Sequence, residues 1–234
     1  NKKLIAIIAV VLAVLILAAV FGARYASSYY YKNGVAAYLQ NNFSAAKDNF
    51  NFSLIFDPKN SLAHFWLGKI ALGVPAPKQL IYWPQADYQE VIKHYEASVS
   101  LGLDKKNQNL YRVALEDLGG AYWNLNELDK AREKYSEELS KFPESSFWAR
   151  YLIALDDFNR LNKPEEALQT LLPALNLAKS DNNTWNLFRI HTLLALLNLS
   201  ARISSLSSKF SNSSLTFSSF ASVRNAGRFA SLNE

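Results

Sequence analysis

The chain has 234 residues, 25 Lys and Arg against 20 Asp and Glu, a net charge of +5, and neither cysteine nor methionine. The missing cysteine excludes disulfides, thiolate-held zinc, iron–sulfur clusters and thiol catalysis. The modest basic excess is scattered among acids, as in Glu127, Asp129, Lys130, Arg132, Glu133 and Lys134. That pattern describes a solvated helix face, so no nucleic-acid partner is expected.

Chain order begins with Leu4 to Phe21, eighteen consecutive apolar residues between Lys2-Lys3 and Gly22-Ala23-Arg24. As a helix the run reaches roughly 27 Å, close to the ~30 Å hydrocarbon thickness of a bilayer. It therefore predicts a transmembrane anchor over residues 1–24. A cleavable signal peptide is the alternative, but the run exceeds the usual stretch of roughly 7–15 apolar residues. The best small-x-small site, Ala26-Ser27-Ser28, is also poorly placed, between Arg24-Tyr25 and three tyrosines. The chain does not start with methionine, which points to residues or a processed leader upstream. Lys2 and Lys3 nearly balance Arg24 and Lys32, and the short N-terminal tail favours an extracytoplasmic domain, periplasmic if the cell is bacterial. Tyr25, Tyr29, Tyr30 and Tyr31 follow at interface depth, where aromatic side chains belong. The span is expected to run into the next helix without a break, unless Ala26-Ser27-Ser28 forms a hinge.

Residues 25–203 repeat themselves. One unit reads Gly34, Ala46-x-x-x-Phe50, Pro58; another reads Leu118-Gly119-x-x-Tyr122, Ala131-x-x-x-Tyr135, Pro143. In both, glycine to alanine is twelve residues and alanine to proline is twelve again. Between them lie Leu67-Gly68-x-x-Ala71 and Val91-x-x-x-Tyr95. A degraded fourth unit has Ile153 at the glycine position, a turn at Asn162-Lys163-Pro164, and then Ala167-x-x-x-Leu171-x-x-Ala174. Small residues suit a close helix crossing, the aromatic one turn later fills the space beside it, and proline ends the second helix. Asn41-Asn42-Phe43-Ser44 and Asn124 to Asp129 supply polar turns and caps.

These residues resemble the tetratricopeptide repeat, a helix–turn–helix of 34 residues with a W-x2-L-G-x2-Y, A-x3-F, P signature. The expected fold is all-α: about four helical hairpins of that type in a solenoid, preceded by one transmembrane helix. Thr184 to Ile203 reads as a terminal capping helix, apolar at Trp185, Phe188, Leu193, Leu196, Leu197 and Ile203. One unit departs from the pattern. Gly68 to Val91 is 23 residues, which places an insertion at about 73–86 with three prolines and an apolar knot of Leu80, Ile81, Tyr82 and Trp83. It reads as a loop packed on its own repeat or as a docking loop for a partner or lipid headgroups. Residues 204–234 are rich in serine yet carry Phe210, Leu215, Phe217, Phe220 and Phe229, and read as a tail ordered by a partner or by the chain's own groove.

Chemistry is sparse. His64, His94 and His191 fall on separate predicted helices, and Glu137-Glu138 and Glu165-Glu166 are sequence neighbours that diverge on a helix surface. No metalloprotease, nucleophile-elbow, Walker or dinucleotide motif occurs, so no enzyme, cofactor, metal or small-molecule substrate is expected. Five sequons occur, at Asn42, Asn51, Asn182, Asn198 and Asn212, where roughly two or three would arise by chance, and they are glycosylation acceptors only if the host and compartment allow it. The resemblance implies instead that a partner lies along the first helices of the repeats. Repeat spacing nominates Tyr31, Val35 and Tyr38, then Phe65, Lys69 and Leu72, then Glu116 and Trp123, then Phe147, Arg150 and Asp157. Tyr31 and Val35 stand where chaperone-tail binders of this kind carry a Lys and an Asn, so an amphipathic helix or apolar peptide is the expected ligand. The expected role is a membrane-anchored scaffold, an assembly factor or accessory subunit of a membrane complex. The alternatives are a cytosol-facing docking receptor for translocation and an integral structural subunit of a large assembly.

Overall fold

The computed structural model describes residues 2–73, 86–144, 146–180 and 184–211. The knot Leu80, Ile81, Tyr82 and Trp83 lies outside the described residues, as does the chain beyond Ser211. Among the described residues every element is helical. The chain divides into two compact units, Asn1–Lys134 and Tyr135–Glu234.

The first unit starts with α1 (Lys2–Leu39), a single unbroken helix of 38 residues. Its stretch Ile5–Leu39 is long and apolar enough to cross a bilayer, and its most apolar part is buried against nothing in the protein. The possible hinge at Ala26-Ser27-Ser28 is helical, so the apolar rod and the first repeat helix form one body. After a turn, α2 (Phe43–Phe56) runs back along the C-terminal half of α1. α3 (Ser61–Ala71) and α4 (Tyr88–Ser100) form the next hairpin, and α4 packs on α6 (Gln108–Asn124) through the short α5 (Leu103–Lys106). α7 (Leu128–Lys141) contains the division between the units.

The small and aromatic positions of the repeat do the packing predicted for them. A Cβ on Gly34 would sit 2.7 Å from two ring carbons of Phe50. One on Gly68 would sit 3.1 Å from the ring of Tyr95. Ala46, Phe50, Val91 and Tyr95 are all wholly buried. Val91 therefore takes the place of the small residue in the second repeat, despite the insertion before it. The ends of that insertion are tied together, because the Asp87 amide donates to the Ala71 carbonyl at 2.9 Å.

Two further features recur in register. Asn41, Asn126 and Asn162 each have a left-handed backbone, φ 59°, 60° and 56°, and each stands five residues before the buried Ala46, Ala131 or Ala167. Asparagine tolerates that conformation better than most residues, so it reverses the chain between the two helices at little strain. Serines latch the hairpins from outside the crossing. Ser53 Oγ donates to the Ser27 carbonyl at 3.0 Å and lies 2.9 Å from Ser27 Oγ, and Ser98 Oγ donates to the Ser61 carbonyl at 2.6 Å. Ser27 and Ser61 both stand seven residues before the crossing glycine, and Ser53 and Ser98 three after the aromatic. Helix starts are capped by Asn42, Asn60, Asp87 and Asn107, whose side chains each accept a first-turn amide.

The second unit holds α8 (Phe147–Asn159), α9 (Pro164–Ser180) and α10 (Thr184–Ser211). α8 and α9 pair as a hairpin, with Ala167, Leu171, Ala174 and Ala178 wholly buried and Ile153 nearly so. Pro164 opens α9, where its missing N–H is no loss. α10 packs on α9 and continues to Ser211, eight residues past the expected end at Ile203. The molecule is thus a set of tetratricopeptide-type helical hairpins behind one long apolar helix.

We expect Gly34→Ala to lower stability by about 1–3 kcal/mol, because its methyl group must displace the buried Phe50 ring. Helicity followed on heating the full chain in detergent checks this. Gly22→Ala, with open space around its added methyl, serves as the neutral control.

Candidate partner-binding face

Four of the nominated residues, Tyr31, Val35, Tyr38 and Lys69, lie along one half-buried strip in the first unit, and two more, Glu116 and Trp123, lie on α6. Tyr31, Val35 and Tyr38 share one side of α1 and pack on the core made by Ala46, Phe50, Ala63 and Leu67. Trp66 of α3 joins them: its Nε1 approaches Tyr31 Oη at 3.4 Å, and its ring lies 4.6 Å from that of Tyr38 and is stacked on Phe50 at 6.2 Å. Beyond the aromatics the strip turns ionic. Lys69 Nζ reaches Asp117 Oδ2 at 3.1 Å, and the same oxygen accepts the Tyr95 hydroxyl at 2.6 Å. Glu116, next to Asp117 on α6, pairs with Arg112 at 2.8 Å, and Trp123 follows two turns later on the same helix. Tyr31, Val35, Tyr38, Lys69, Glu116 and Trp123 all keep partial exposure.

The charges here are held in place by burial and by one another. Burial opposes the Lys69 ammonium, but the Asp117 carboxylate more than compensates and raises its pKa. Burial lifts the Glu116 pKa, with the Asp117 charge adding to it and Arg112 and Lys69 opposing. Tyr95 is pushed well up by burial and then by Asp117, so it remains a hydrogen-bond donor. Tyr38 is raised chiefly by burial.

Other nominated residues turn inward. Phe65 and Leu72 are each 2 % exposed, and Phe65 packs edge-on against Tyr95 at 5.5 Å. They cannot line an open surface, because the tight Gly68 crossing draws their side of α3 against α4. In the second unit Phe147 and Asp157 are likewise buried. Arg150 is partly exposed but folds back to donate to the Pro143 carbonyl at 2.7 Å. The nominated set in this unit therefore supports packing more than contact with a ligand.

The exposed apolar surface of the second unit lies elsewhere. α10 buries Ile190, Leu193 and Leu197, while Trp185, Phe188, Leu196 and Leu199 are exposed, as are Leu168 and Leu172 of α9. Sequence reading treated Trp185, Phe188 and Leu196 as part of an inward capping face; the structure separates them. A helix has one side to bury against α9, and Ile190, Leu193 and Leu197, at i, i+3 and i+7, occupy it. The signal was available in the apolar residues that spread around α10 beyond one stripe.

A histidine pair also went unforeseen. His64 and His94 are 30 residues apart, yet the α3–α4 hairpin brings Nδ1 of one within 3.1 Å of Nδ1 of the other. His94 Nε2 stands 3.2 Å from Glu90 Oε2, which also pairs with Lys93. His64 Nε2 also lies 3.3 Å from the Pro58 carbonyl, so two neutral rings satisfy two of the three contacts: His94 donates to Glu90, and His64 donates either to His94 Nδ1 or to Pro58. Burial, then the neighbouring His64 and Lys93, push His94 down to about 4. Burial, more than any other cause, lowers His64 too. His191 is exposed on α10 and lies apart from them in sequence and element.

The strip and the hairpins together define an all-α protein of tetratricopeptide type, built from helix pairs with a partly open aromatic and ionic face. No protein-family model matches the chain, and no curated protein matches its sequence. Among solved structures, the chain is similar to the N-terminal domain of stress-induced protein-1 (STI-1) from C. elegans. That match has 21 % identity and a TM-score of 0.41, covering 51 % of this chain and 87 % of that one. A second match is the MamA protein, at 20 % identity and a TM-score of 0.38, covering 68 % and 95 %. Neither likeness bears on function; the fold assignment rests on the helix packing.

The His64 and His94 shifts imply an acid-sensitive hairpin. Both folded pKa values lie below the ordinary 6.5, so the stability they contribute is complete above 6.5 and is lost as pH falls toward about 4. We expect the melting temperature to drop between pH 7 and pH 5, and His94→Gln to flatten that dependence in thermal melts across the same range.

Proposed function

We propose that the chain is a membrane-anchored scaffold that holds protein partners of a membrane complex beside the bilayer, as an assembly factor or accessory subunit. The observation that carries this reading is the continuity of α1. One helix supplies both an apolar stretch able to cross a bilayer and the Tyr31, Val35 and Tyr38 edge of the open strip. A partner held on that strip is kept at a constant distance from the end of the apolar stretch. In this reading the hairpins lie on the extracytoplasmic side, periplasmic in a bacterium.

The strip suits an amphipathic helix or an apolar peptide with a basic and an acidic group. Aromatic side chains provide contact area, and the Lys69–Asp117 and Arg112–Glu116 pairs provide register. The exposed Trp185, Phe188, Leu196 and Leu199 of α10 support a second protein contact, since stacked hairpins need their last apolar face covered. The role proposed is one of binding, with no bond made or broken. Tyr38 and Lys69 are the residues we place at the centre of recognition in the first unit.

Mild-detergent capture of the full chain from native membranes, with partners identified by mass spectrometry, tests this reading. Tyr38→Ala with Lys69→Glu is expected to reduce the captured partner at least about tenfold, as loss of a central aromatic and a charge reversal do at protein interfaces. Trp185→Ser with Phe188→Ser asks the same of α10. Recovery of the same partners from all variants, each with an unchanged melting temperature, overturns the assignment of these faces. Protease protection of the hairpins in intact cells distinguishes extracytoplasmic placement from a cytosol-facing receptor.

A further inference from the structure

The C-terminal end of α2 has two different sides. Ala46, Phe50 and Ser53 face the core and are wholly buried. Phe52, Ile55 and Phe56, at i, i+3 and i+4, are 47 %, 68 % and 40 % exposed. Beside them on α1, Tyr25 is 77 % and Tyr29 is 54 % exposed. Tyr30 links the two helices, stacked on Phe56 at 5.7 Å and tilted against Phe52 at 5.2 Å. Five large apolar or aromatic side chains thus gather on one exposed patch.

The height of this patch follows from the register of the hairpin. Ser53 is paired with Ser27, and α2 runs antiparallel to α1, so Ile55 and Phe56 lie level with about Tyr25 and Arg24. The apolar run ends at Phe21, itself 65 % exposed, four residues before Tyr25. At 1.5 Å per residue the patch stands about 6 Å beyond the end of the run. The headgroup zone of a bilayer occupies about 5–7 Å on each side of the hydrocarbon. Charge follows the same axis. α2 carries Lys47 and Asp48 at its far end, while Phe52 to Phe56 hold no charge. The exposed Arg24 and Lys59 flank the patch, where cationic side chains meet lipid phosphates. Asp57 is engaged in its own turn, accepting the Lys59 amide at 3.1 Å.

We propose that Phe52, Ile55 and Phe56 of α2, with Tyr25 and Tyr29 of α1, form a second lipid contact seated in the headgroup layer. The occupant is the lipid surface itself, because the patch is continuous with the rod and lies at the depth where aromatic side chains partition. This proposal rests on the anchor reading above. A single helix leaves an attached domain free to tilt and rotate about it. A second contact, offset by one helix diameter, sets the tilt and hence the direction in which the Tyr31–Trp66–Lys69 strip looks.

The natural absence of cysteine permits a direct test with the full chain. Single variants Leu12→Cys, Ile55→Cys and Lys47→Cys, each carrying an environment-sensitive fluorophore, are reconstituted into vesicles of phosphatidylcholine and phosphatidylglycerol with brominated acyl chains. All three positions are exposed, so the label disturbs no core contact. Ile55 is expected to be quenched at least about threefold more than Lys47, with a blue-shifted emission, because interfacial burial reaches about 5–10 Å into the headgroup and acyl boundary. Adding Phe52→Ser and Phe56→Ser to the Ile55→Cys variant is expected to abolish that difference. Quenching at Leu12 with none at Ile55 overturns the second contact and leaves the anchor standing. Quenching at neither position overturns both. Because the vesicles hold no other protein, quenching at Ile55 cannot come from a protein partner.

Discussion

Removal of one carbon atom at Gly34 and at Gly68 is the condition on which the hairpins depend. With hydrogen in place of Cβ, each first helix approaches its partner until the Phe50 or Tyr95 ring lies flat on the backbone. Close-packed interiors tolerate little change in volume at such a point. The approach then sets everything at larger radius. It brings Ser53 onto Ser27 and Ser98 onto Ser61, where hydroxyls satisfy carbonyls and close the outer edge of each crossing. It also determines which residues of α3 vanish into the core, Phe65 and Leu72, and which stay half-open beside Tyr38, Trp66 and Lys69.

The second constraint is mechanical. A helix held by consecutive i to i−4 hydrogen bonds transmits orientation along its length, and α1 contains neither proline nor any non-helical residue from Lys2 to Leu39. The apolar rod and the Tyr31–Tyr38 edge therefore share an axis. The polar latch on Ser27 lies where the rod becomes a repeat helix, so α2 joins at the level the bilayer would end. The Asn60 amide adds a donor to Ser53 Oγ at 3.0 Å, which ties the start of the second hairpin into the same latch.

How far the sequence could be read depended on the range of the interaction. The repeat was legible because its determinants are local and doubled: glycine, small residue, aromatic and proline at equal spacings in two places. Helix caps and the asparagine turns are equally local. The histidine pair was not legible, since His64 and His94 are separated by the insertion and only the α3–α4 contact makes them neighbours. Which side chains of α10 are buried was not legible for a related reason. Apolar positions at Trp185, Phe188 and Leu196 are compatible with burial, but the width of the neighbouring helix decides how many can be buried. Among the partner-face residues, repeat spacing placed Tyr31, Val35, Tyr38, Lys69, Glu116 and Trp123 on a partly exposed side and misplaced Phe65, Leu72, Phe147 and Asp157. Trp66 and Asp117 were missed because each is adjacent in sequence to a nominated residue and points about 100° away from it on an ideal helix.

Pattern and composition alone determined that this chain is helical, that its helices pair through small residues, and that its first twenty-odd residues are apolar enough for lipid. These are consequences of side-chain chemistry at short sequence separation. Tertiary packing alone decided which aromatic faces close and which stay open, that Lys69 meets Asp117, and that the tip of α2 lies beside the end of the apolar rod. Such outcomes depend on helix register and crossing distance, which are global properties of the packed chain and are written at no single position in it.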